Sequence, residues 1–212
     1  MLTLTQMDLL TQLGLALGFA TLSGVNLYLT VFVTGIAVRF NWLDLASAHE
    51  QFTVLGDPWI LGVAGALFLI EFFADKIPWV DSTWDVLHTV VRPVGGIMLA
   101  LTALGELEPS MSVVAALLSG GASLAMHSLK AGGRLLINLS PEPVSNAVAS
   151  VTEDGLVLGG LGLMAFSPVI GFFVFLFVCI FAVFVTSKIW KKITRGIGVL
   201  RARFGKKELA RS

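Results

Sequence analysis

The sequence predicts an all-α polytopic membrane protein, a bundle of about six transmembrane segments. Apolar residues make up 56% of the chain and charged residues only 13%, whereas soluble domains carry roughly 25% charged residues. The mean hydropathy is +0.87. Leu9 to Val38 is a run of thirty residues without a charge, and Gly155 to Ser187 is a run of thirty-three. A crossing helix needs only about 20 apolar residues, so both runs are long enough to span a bilayer.

The run that begins at Gly155 is too long for one crossing, because thirty-three helical residues would reach about 50 Å against an apolar core of about 30 Å. Ser167-Pro168 offers a break, since proline ends or restarts a helix. The third segment, Pro93–Leu104, is short for a full span. It is therefore predicted to be tilted, to extend beyond these bounds or to be re-entrant. In chain order the predicted segments are Leu9–Val38, Pro58–Ala74, Pro93–Leu104, Pro109–Leu129, Ala149–Phe166 and Pro168–Trp190.

The charges predict the orientation. Between Lys188 and Ser212 the chain has nine basic residues and one acid, and the positive-inside rule places such a tail in the cytoplasm. Six crossings then put the N-terminus in the cytoplasm too. The loops at 39–57 and 105–108 would lie outside with acids that include Asp44, and the basic loops at 75–92 and 130–154 would lie inside. No basic residue precedes Arg39, so a signal peptide is not predicted.

The predicted organisation is a transmembrane domain over residues 1–190 and a basic cytoplasmic tail over residues 191–212. Leu22-Ser23-Gly24 and Leu118-Ser119-Gly120 precede Arg39 and Arg134 by about the same distance. This match suggests two inverted halves, residues 1–108 and 109–190, with broken or re-entrant helices as in many small transporters. The tail is expected to contact anionic lipids, and nucleic acid is not an expected partner.

An acidic stripe is the most informative feature of the sequence. Asp81, Asp85, His88 and Arg92 fall at i, i+4, i+7 and i+11, which is one face of a helix. Glu71 and Asp75 lie one turn apart at the end of the second segment, where Pro78 breaks or restarts the helix. Pro93 is expected to begin the next segment. The stripe is compatible with cation binding or proton relay, and also with an interfacial helix whose polar face lies in water.

A basic face follows later in the chain. His127, Lys130 and Arg134 lie at i, i+3 and i+7. These side chains could pair with the acidic stripe across the protein, bind an anionic phosphate or carboxylate group, or anchor the helix end by snorkelling.

Two further clusters carry polar residues. Asn146 and Glu153 share a helical face after Ser140-Pro141-Glu142-Pro143, and Asp154 adjoins them. Asn26 and Tyr28 lie in the middle of the first segment, where polar groups need partners. A locally unwound helix that lines a substrate site would provide them, and so would interhelical hydrogen bonds.

The predicted site therefore binds a substrate or an ion and has no assigned catalytic residue. No cofactor is expected, and the residues leave the identity of any metal open. Cys179 is the single cysteine, so no internal disulfide can form. The predicted site residues are Asn26, Tyr28, Glu71, Asp75, Asp81, Asp85, His88, Arg92, His127, Lys130, Arg134, Asn146, Glu153 and Asp154.

These residues resemble those of an uncharacterised bacterial integral membrane family, domain-of-unknown-function family 4126. The likeness covers about residues 10–190 and implies a bacterial inner-membrane location, but it implies no activity. It rests on Gly24-Val25-Asn26-Leu27-Tyr28, Glu71 with Asp75-Lys76-Ile77-Pro78, Asp81, Asp85, His88, Arg92-Pro93, His127, Lys130, Arg134, Pro141, Asn146 and Glu153-Asp154.

Three functions are compatible with the sequence. The leading hypothesis is a small transporter or permease-like protein with a charged site for a small ion or an anionic small molecule. Glu71 to Lys76 also resembles the Glu-x-Gly-Asp-Lys motif of small cation/proton exchangers, with one extra residue and no glycine. The alternatives are a structural or accessory protein with internal ion pairs, and a membrane-embedded enzyme acting on a lipid phosphate. Homo-oligomers are compatible with all three.

Overall fold

The computed structural model describes residues 4–42, 50–138 and 143–209, and these residues form helices without any strand. The predicted all-α class is confirmed. Asp44, Ser140, Pro141 and Glu142 lie outside the described residues. The α-helices are α1 (Leu4–Arg39), α2 (Pro58–Ala74), α3 (Pro78–Leu104), α4 (Pro109–Ile137), α5 (Pro143–Phe166) and α6 (Pro168–Leu209), with a 3-10 helix at Glu50–Gly56.

The protein is a multi-pass membrane protein. Five of the described helices, all except α2, are long and apolar enough to cross a bilayer. The shorter helix α2 has 17 residues, which at 1.5 Å per residue is about 25 Å. Many large apolar side chains on the outer faces are exposed, including Phe73, Leu117 and Phe177, as expected of surfaces that contact lipid.

Proline sets the start of every described α-helix after α1. Its fixed φ suits the first helical turn, where its missing N–H would have no partner in any case. Asp57 caps α2, because its side chain accepts a hydrogen bond of 2.8 Å from the Trp59 N–H. The helix starts are Pro58, Pro78, Pro109, Pro143 and Pro168.

Helix α3 corrects the prediction of a separate amphipathic helix that ends before Pro93. The helix runs without interruption from Pro78 to Leu104, with Pro93 inside it. Pro93 has no N–H to donate to the carbonyl of Thr89, but packing holds the helix together. The neighbouring Gly96 lies so close to Ser123 of α4 that an added Cβ would come within 2.9 Å of its side chain. The predicted third segment was therefore too short by about four turns.

Helix α1 is broken at Asn26, which has φ −148° and ψ 100°. A continuous helix would hold Phe19 and Arg39 about 30 Å apart. However, the rings of Phe19 and Phe52 are 5.5 Å apart, and Gly56 lies against the backbone of Arg39. Phe52 and Gly56 belong to the same 3-10 helix, and four residues of such a helix rise only about 8 Å. Arg39 therefore lies closer to Phe19 than a continuous helix allows, so the second half of α1 (residues 27–39) bends back toward Phe19.

The start of α1 lies at the end of the bundle opposite to the one predicted for it. Gly14 packs against the backbone of Pro168 at the start of α6. The beginning of α1 therefore lies at the same end of the bundle as the α5–α6 connection. A straight first crossing with both termini on one side would place these two residues at opposite ends, so that part of the topology prediction is wrong.

The first half of α1 (residues 4–25) runs in the same direction as α4. Leu13 and Ala115 line one cavity, and further along the two helices Gly24 meets the backbone of Ser123. Matching helices of inverted halves would run in opposite directions. The two inverted halves stay a prediction, and this helix pair does not support them.

Helix α6 extends well beyond its apolar part. Its 42 residues reach Leu209, while the stretch suited to a bilayer ends at Lys192. The secondary structure does not change between residues 190 and 191. The basic tail is therefore a continuation of α6 through most of its length, and its separation as a domain stays a prediction.

Candidate functional site

A cluster of buried charges, which we call the polar core, lies where α2, α3, α4 and α5 approach the bend of α1. It occupies the half of the bundle nearer to the α2–α3 and α4–α5 connections. The acidic and basic faces meet here, so the predicted pairing of the two faces is confirmed. The polar core consists of Glu71, Asp75, Asp81, Asp85, Arg92, Lys130, Arg134, Glu153 and Asp154.

Arg92 is the deepest cation of the polar core. It lies fourteen residues beyond Pro78, which corresponds to about 21 Å along α3. Its guanidinium forms an ion pair with Glu71, and both side chains are fully buried. The same group lies 3.4 Å from Asp85 and donates a hydrogen bond of 2.9 Å to Nδ1 of His127. Arg92 therefore joins α2, α3 and α4 in one network.

Lys130 links the acids to the broken helix. Its Nζ lies 2.8 Å from Asp75, 3.6 Å from Glu71 and 3.4 Å from Glu153. It also lies 3.4 Å from the carbonyl oxygen of Val25. The break leaves this carbonyl near a helix C-terminus, where a cation is favourable. Lys130 thus stabilises both the carboxylates and the end of the first half of α1.

Arg134 is held by α5. Its Nε and Nη2 donate to the two carboxylate oxygens of Glu153 at 3.1 and 2.7 Å, which is the strong bidentate geometry of arginine and a carboxylate. Its Nη1 donates to the backbone oxygens of Asp75 and Asn146 at 3.1 and 3.0 Å. An external anion would therefore have to displace bonds that Arg134 already makes.

The two histidines are fixed by their partners. Nδ1 of His127 accepts from Arg92, so Nε2 carries the proton and donates to Thr89 Oγ1 at 3.1 Å. Nδ1 of His88 donates to the carbonyl of Trp84 at 2.8 Å, and its Nε2 lies 3.1 Å from the hydroxyl of Tyr28. The contacts make His127 neutral, since protonation of Nδ1 would place two donors face to face.

Asn26 connects the break in α1 to the polar core. Its Oδ1 accepts from the Leu29 N–H at 2.9 Å, so it caps the second half of α1 as the first residue of a new helix. Its Nδ2 donates to Asp154 of α5 at 3.0 Å. One side chain thus stabilises the bend and donates a hydrogen bond to Asp154.

Replacing Asn26 by alanine should lower the free energy of unfolding by about 0.5–2 kcal/mol through loss of the cap, with a further loss because Asp154 loses its donor. Thermal unfolding of the purified protein would measure the change. The control is the double variant Asn26→Ala with Asp154→Asn, because the second change removes the charge that Asn26 stabilises. If Asn26→Ala unfolds at the wild-type temperature, the bend does not depend on this cap.

The polar core contains more acids than cations. Among the described residues, six carboxyl groups share it with three buried cationic side chains, those of Arg92, Lys130 and Arg134. Lys76 lies at its edge, where it donates to the Phe72 carbonyl at 2.8 Å. Partial burial lowers the pKa of Lys76, while Asp154 and Asp75 act to raise it. Even with Lys76 counted, two carboxyl groups remain in excess.

Several carboxylate oxygens of the polar core are buried without a hydrogen-bond donor among the described residues. They are Glu71 Oε2, Asp75 Oδ1, Asp81 Oδ1 and Asp154 Oδ2. Asp81 has the weakest partners. Its side chain is fully buried, its Oδ1 is 4.0 Å from Nε of Arg134, and its Oδ2 is 3.4 Å from Nδ2 of Asn138. A buried carboxylate in this position is costly when ionised.

A small cavity lies beside the polar core between α3 and α4. Its volume is about 120 Å³, and its polar lining residues are Ser82, Asp85, Thr89 and Arg134. Since a water molecule takes about 30 Å³, this space could hold about four water molecules. The cavity is large enough for a short water chain or a small ion.

The structure brings the predicted site residues into one region, and the prediction missed two residues of the same network. Thr89 bonds His127 at 3.1 Å, and Ser123 donates to the Arg92 carbonyl at 3.0 Å. Ser123 lies four residues before His127, so helical spacing could have identified it. Hydrogen bonds or ion pairs link ten of the predicted site residues into one network, namely Glu71, Asp75, Asp81, Asp85, Arg92, His127, Lys130, Arg134, Asn146 and Glu153, while Asn26 with Asp154 and Tyr28 with His88 form two pairs beside it.

The family comparison covers most of the chain. Residues 13–188 match the model of a family described as a domain of unknown function, DUF4126. The chain belongs to this family. No curated protein and no solved structure matches it. The family description names no activity.

The polar core of this DUF4126 protein does not have the donor arrangement of a metal centre. No group of three or more histidine, cysteine, aspartate or glutamate side chains that could hold a metal ion occurs within residues 4–42, 50–138 and 143–209. His88 turns both ring nitrogens toward Trp84 and Tyr28, away from Asp81 and Asp85. Both ring nitrogens of His88 are therefore engaged by partners other than the carboxylates of Asp81 and Asp85.

Proposed function

We propose that this protein is a small membrane transporter whose polar core takes up and releases protons, alone or coupled to a small monovalent ion. The observation that carries the proposal is the excess of carboxyl groups over cations in the polar core, where four carboxyl groups are buried and two, those of Glu153 and Asp154, are partly buried.

The charge excess requires compensation. An isolated ionised carboxylate in an apolar interior is very costly, so the excess acids must hold protons or a bound cation. The three buried cations already have carboxylate partners. The compensating charge therefore comes from solution as a proton or a cation, and we propose that the protein exchanges it between the two sides of the membrane.

Asp81 is the preferred residue for the exchange. It has one oxygen without a donor among the described residues, and its nearest cation, Arg134, is at 4.0 Å. The adjoining Asp85 lines the small cavity of about 120 Å³. Water in that cavity would give Asp85 and its neighbour Asp81 a route for protons toward the α4–α5 connection.

The break in α1 favours transport over a passive ion-pair scaffold. Transporter sites are commonly formed by discontinuous helices whose ends point at the bound ion. Here the bend at Asn26 contacts Asp154, and Val25 contacts Lys130. A change in protonation of the polar core would therefore act directly on the junction between two half-helices.

Proton flux through the purified protein in liposomes tests the proposal. A pH-sensitive dye trapped inside would report the decay of an imposed pH gradient, with potassium and valinomycin to set the membrane potential. Wild-type protein should dissipate the gradient faster than empty liposomes. Asp81→Asn, which keeps the shape of the side chain and removes its charge, should lose most of that flux.

Asp57→Asn is the matched control, because Asp57 is an exposed helix cap outside the polar core and asparagine also caps helices. Its flux should equal that of the wild type. A folded wild-type protein that leaves every proton, sodium, potassium and chloride gradient intact would overturn the proposal. The polar core would then be an internal ion-pair scaffold, the function favoured by the saturation of Arg134.

We further propose that the protein resides in the inner membrane of a bacterium with the end of α6 in the cytoplasm. Lys191 and Lys192 are exposed at the end of the stretch of α6 that suits a bilayer, and Arg195 is exposed beyond it. Basic residues at this position favour the cytoplasmic side and contact with anionic lipid headgroups. Cysteine accessibility at residue 195 in intact cells, using Arg195→Cys in a Cys179→Ala background, would test the orientation.

A further inference from the structure

A second cavity lies in the other half of the bundle, away from the polar core. Its volume is about 630 Å³, which is in the range of small-molecule sites. It lies between α1, α3, α4 and α6, near the α3–α4 connection. Leu104 at the end of α3 and Phe172 near the start of α6 both line it.

The wall of this cavity has no free polar group to recognise a polar ligand. Its polar side chains are those of Ser119 and Cys179. The Ser119 hydroxyl donates to the carbonyl of Ala115 at 2.7 Å, and the Cys179 sulfur lies 3.3 Å from the hydroxyl of Thr21. Even much smaller apolar cavities stay free of water and take up apolar molecules, so an apolar occupant is expected here.

Small side chains create the space, and the cavity reaches the lipid-facing surface. Ala100, Ala122 and Gly121 line it where larger residues would fill it. Leu118 and Ile180 are also part of its wall, and their side chains are 70% and 62% exposed. An opening between α4 and α6 therefore connects the cavity to the bilayer.

We propose that this cavity is a binding site for one acyl chain of a membrane phospholipid, inserted sideways between α4 and α6. Three observations carry the assignment: the volume, the apolar wall, and exposed wall residues on two helices that face lipid. The surrounding bilayer supplies acyl chains at this depth. The site is independent of the polar core and of the proton flux proposed for it.

Photo-crosslinking would test the site. The protein would be reconstituted in liposomes that contain a phosphatidylglycerol with a diazirine on its acyl chain, irradiated, and mapped by peptide mass spectrometry. Cross-links should concentrate on the cavity-lining residues of α4 and α6. Ala122→Phe fills the cavity and should reduce those cross-links several-fold, whereas Leu117→Phe on the exposed face of the same helix should not.

Ala115→Leu provides a second filling variant if Ala122→Phe does not fold, because Ala115 also lines the cavity. Cross-links that spread evenly over all exposed faces and ignore both filling variants would overturn the proposal. Cross-links between copies of the chain, together with a dimer that both variants dissociate, would overturn it as well, because a second copy would then occupy the opening.

Discussion

Replacing Arg92 by methionine is expected to lower the free energy of unfolding by about 3–5 kcal/mol, the usual result of removing one partner from a buried charge pair. Methionine keeps much of the side-chain length and removes the charge. It leaves Glu71 and Asp85 without their cation, and it removes the donor of His127. The thermal midpoint of the purified protein should fall by roughly 6–20 °C.

The double variant Arg92→Met with Glu71→Gln should recover a large part of the loss, because the most deeply buried unpaired carboxylate is then neutral. Arg195→Met is the control for loss of an arginine, since Arg195 is exposed on α6, and its thermal midpoint should match that of the wild type. An Arg92→Met protein as stable as the wild type would mean that Glu71 is protonated and that the ion pair contributes nothing.

Replacing Gly24 by alanine is expected to separate α1 from α4 and lower the free energy of unfolding by about 1–3 kcal/mol. A Cβ at this position would collide with the carbonyl oxygen of Ser123 and come within 2.7 Å of Cβ of Met126. The backbone on both sides is helical, so the strain cannot be relieved by a side-chain rotation. Close approach of membrane helices at small residues is a common source of their packing energy.

Gly162→Ala is the matched control for Gly24→Ala. No described heavy atom lies within 4 Å of a Cβ built at Gly162, and alanine is up to about 1 kcal/mol better than glycine in a helix. Thermal unfolding in the same detergent should show a lower midpoint for Gly24→Ala and an equal or higher one for Gly162→Ala. Equal midpoints for the two variants would show that α1 and α4 do not depend on this contact.

The helical class and most of the polar core could be predicted because their signals are local. Uncharged runs identify membrane segments, and the spacing of Asp81, Asp85 and Arg92 identifies one face of a helix. The facing stripe at Lys130 and Arg134 has the opposite charge, so pairing of the two was one of three alternatives, beside anion binding and snorkelling. Their burial was an open alternative, since an interfacial helix has the same periodicity.

The path of the chain could not be predicted in the same way. Pro93 was expected to begin a helix, but Gly96 packs against Ser123 and Arg92 pairs with Glu71, and these tertiary contacts keep α3 continuous. The bend at Asn26 accompanies the packing of Phe52 on Phe19, two residues that are 33 positions apart in sequence. Periodicity carries no information about such distant contacts.

The order of pairing has a consequence for biogenesis. Arg92 follows its partner Glu71 by 21 residues in the sequence, but Lys130 follows its partner Asp75 by 55 residues. At about 5–20 residues per second, a ribosome needs roughly 3–11 s to synthesise the segment that separates them. During this interval the end of α2 carries an acid whose cation does not yet exist. The insertion machinery or a chaperone must shield it until α4 emerges, so a fragment that ends before α4 should be recognised as unassembled and degraded.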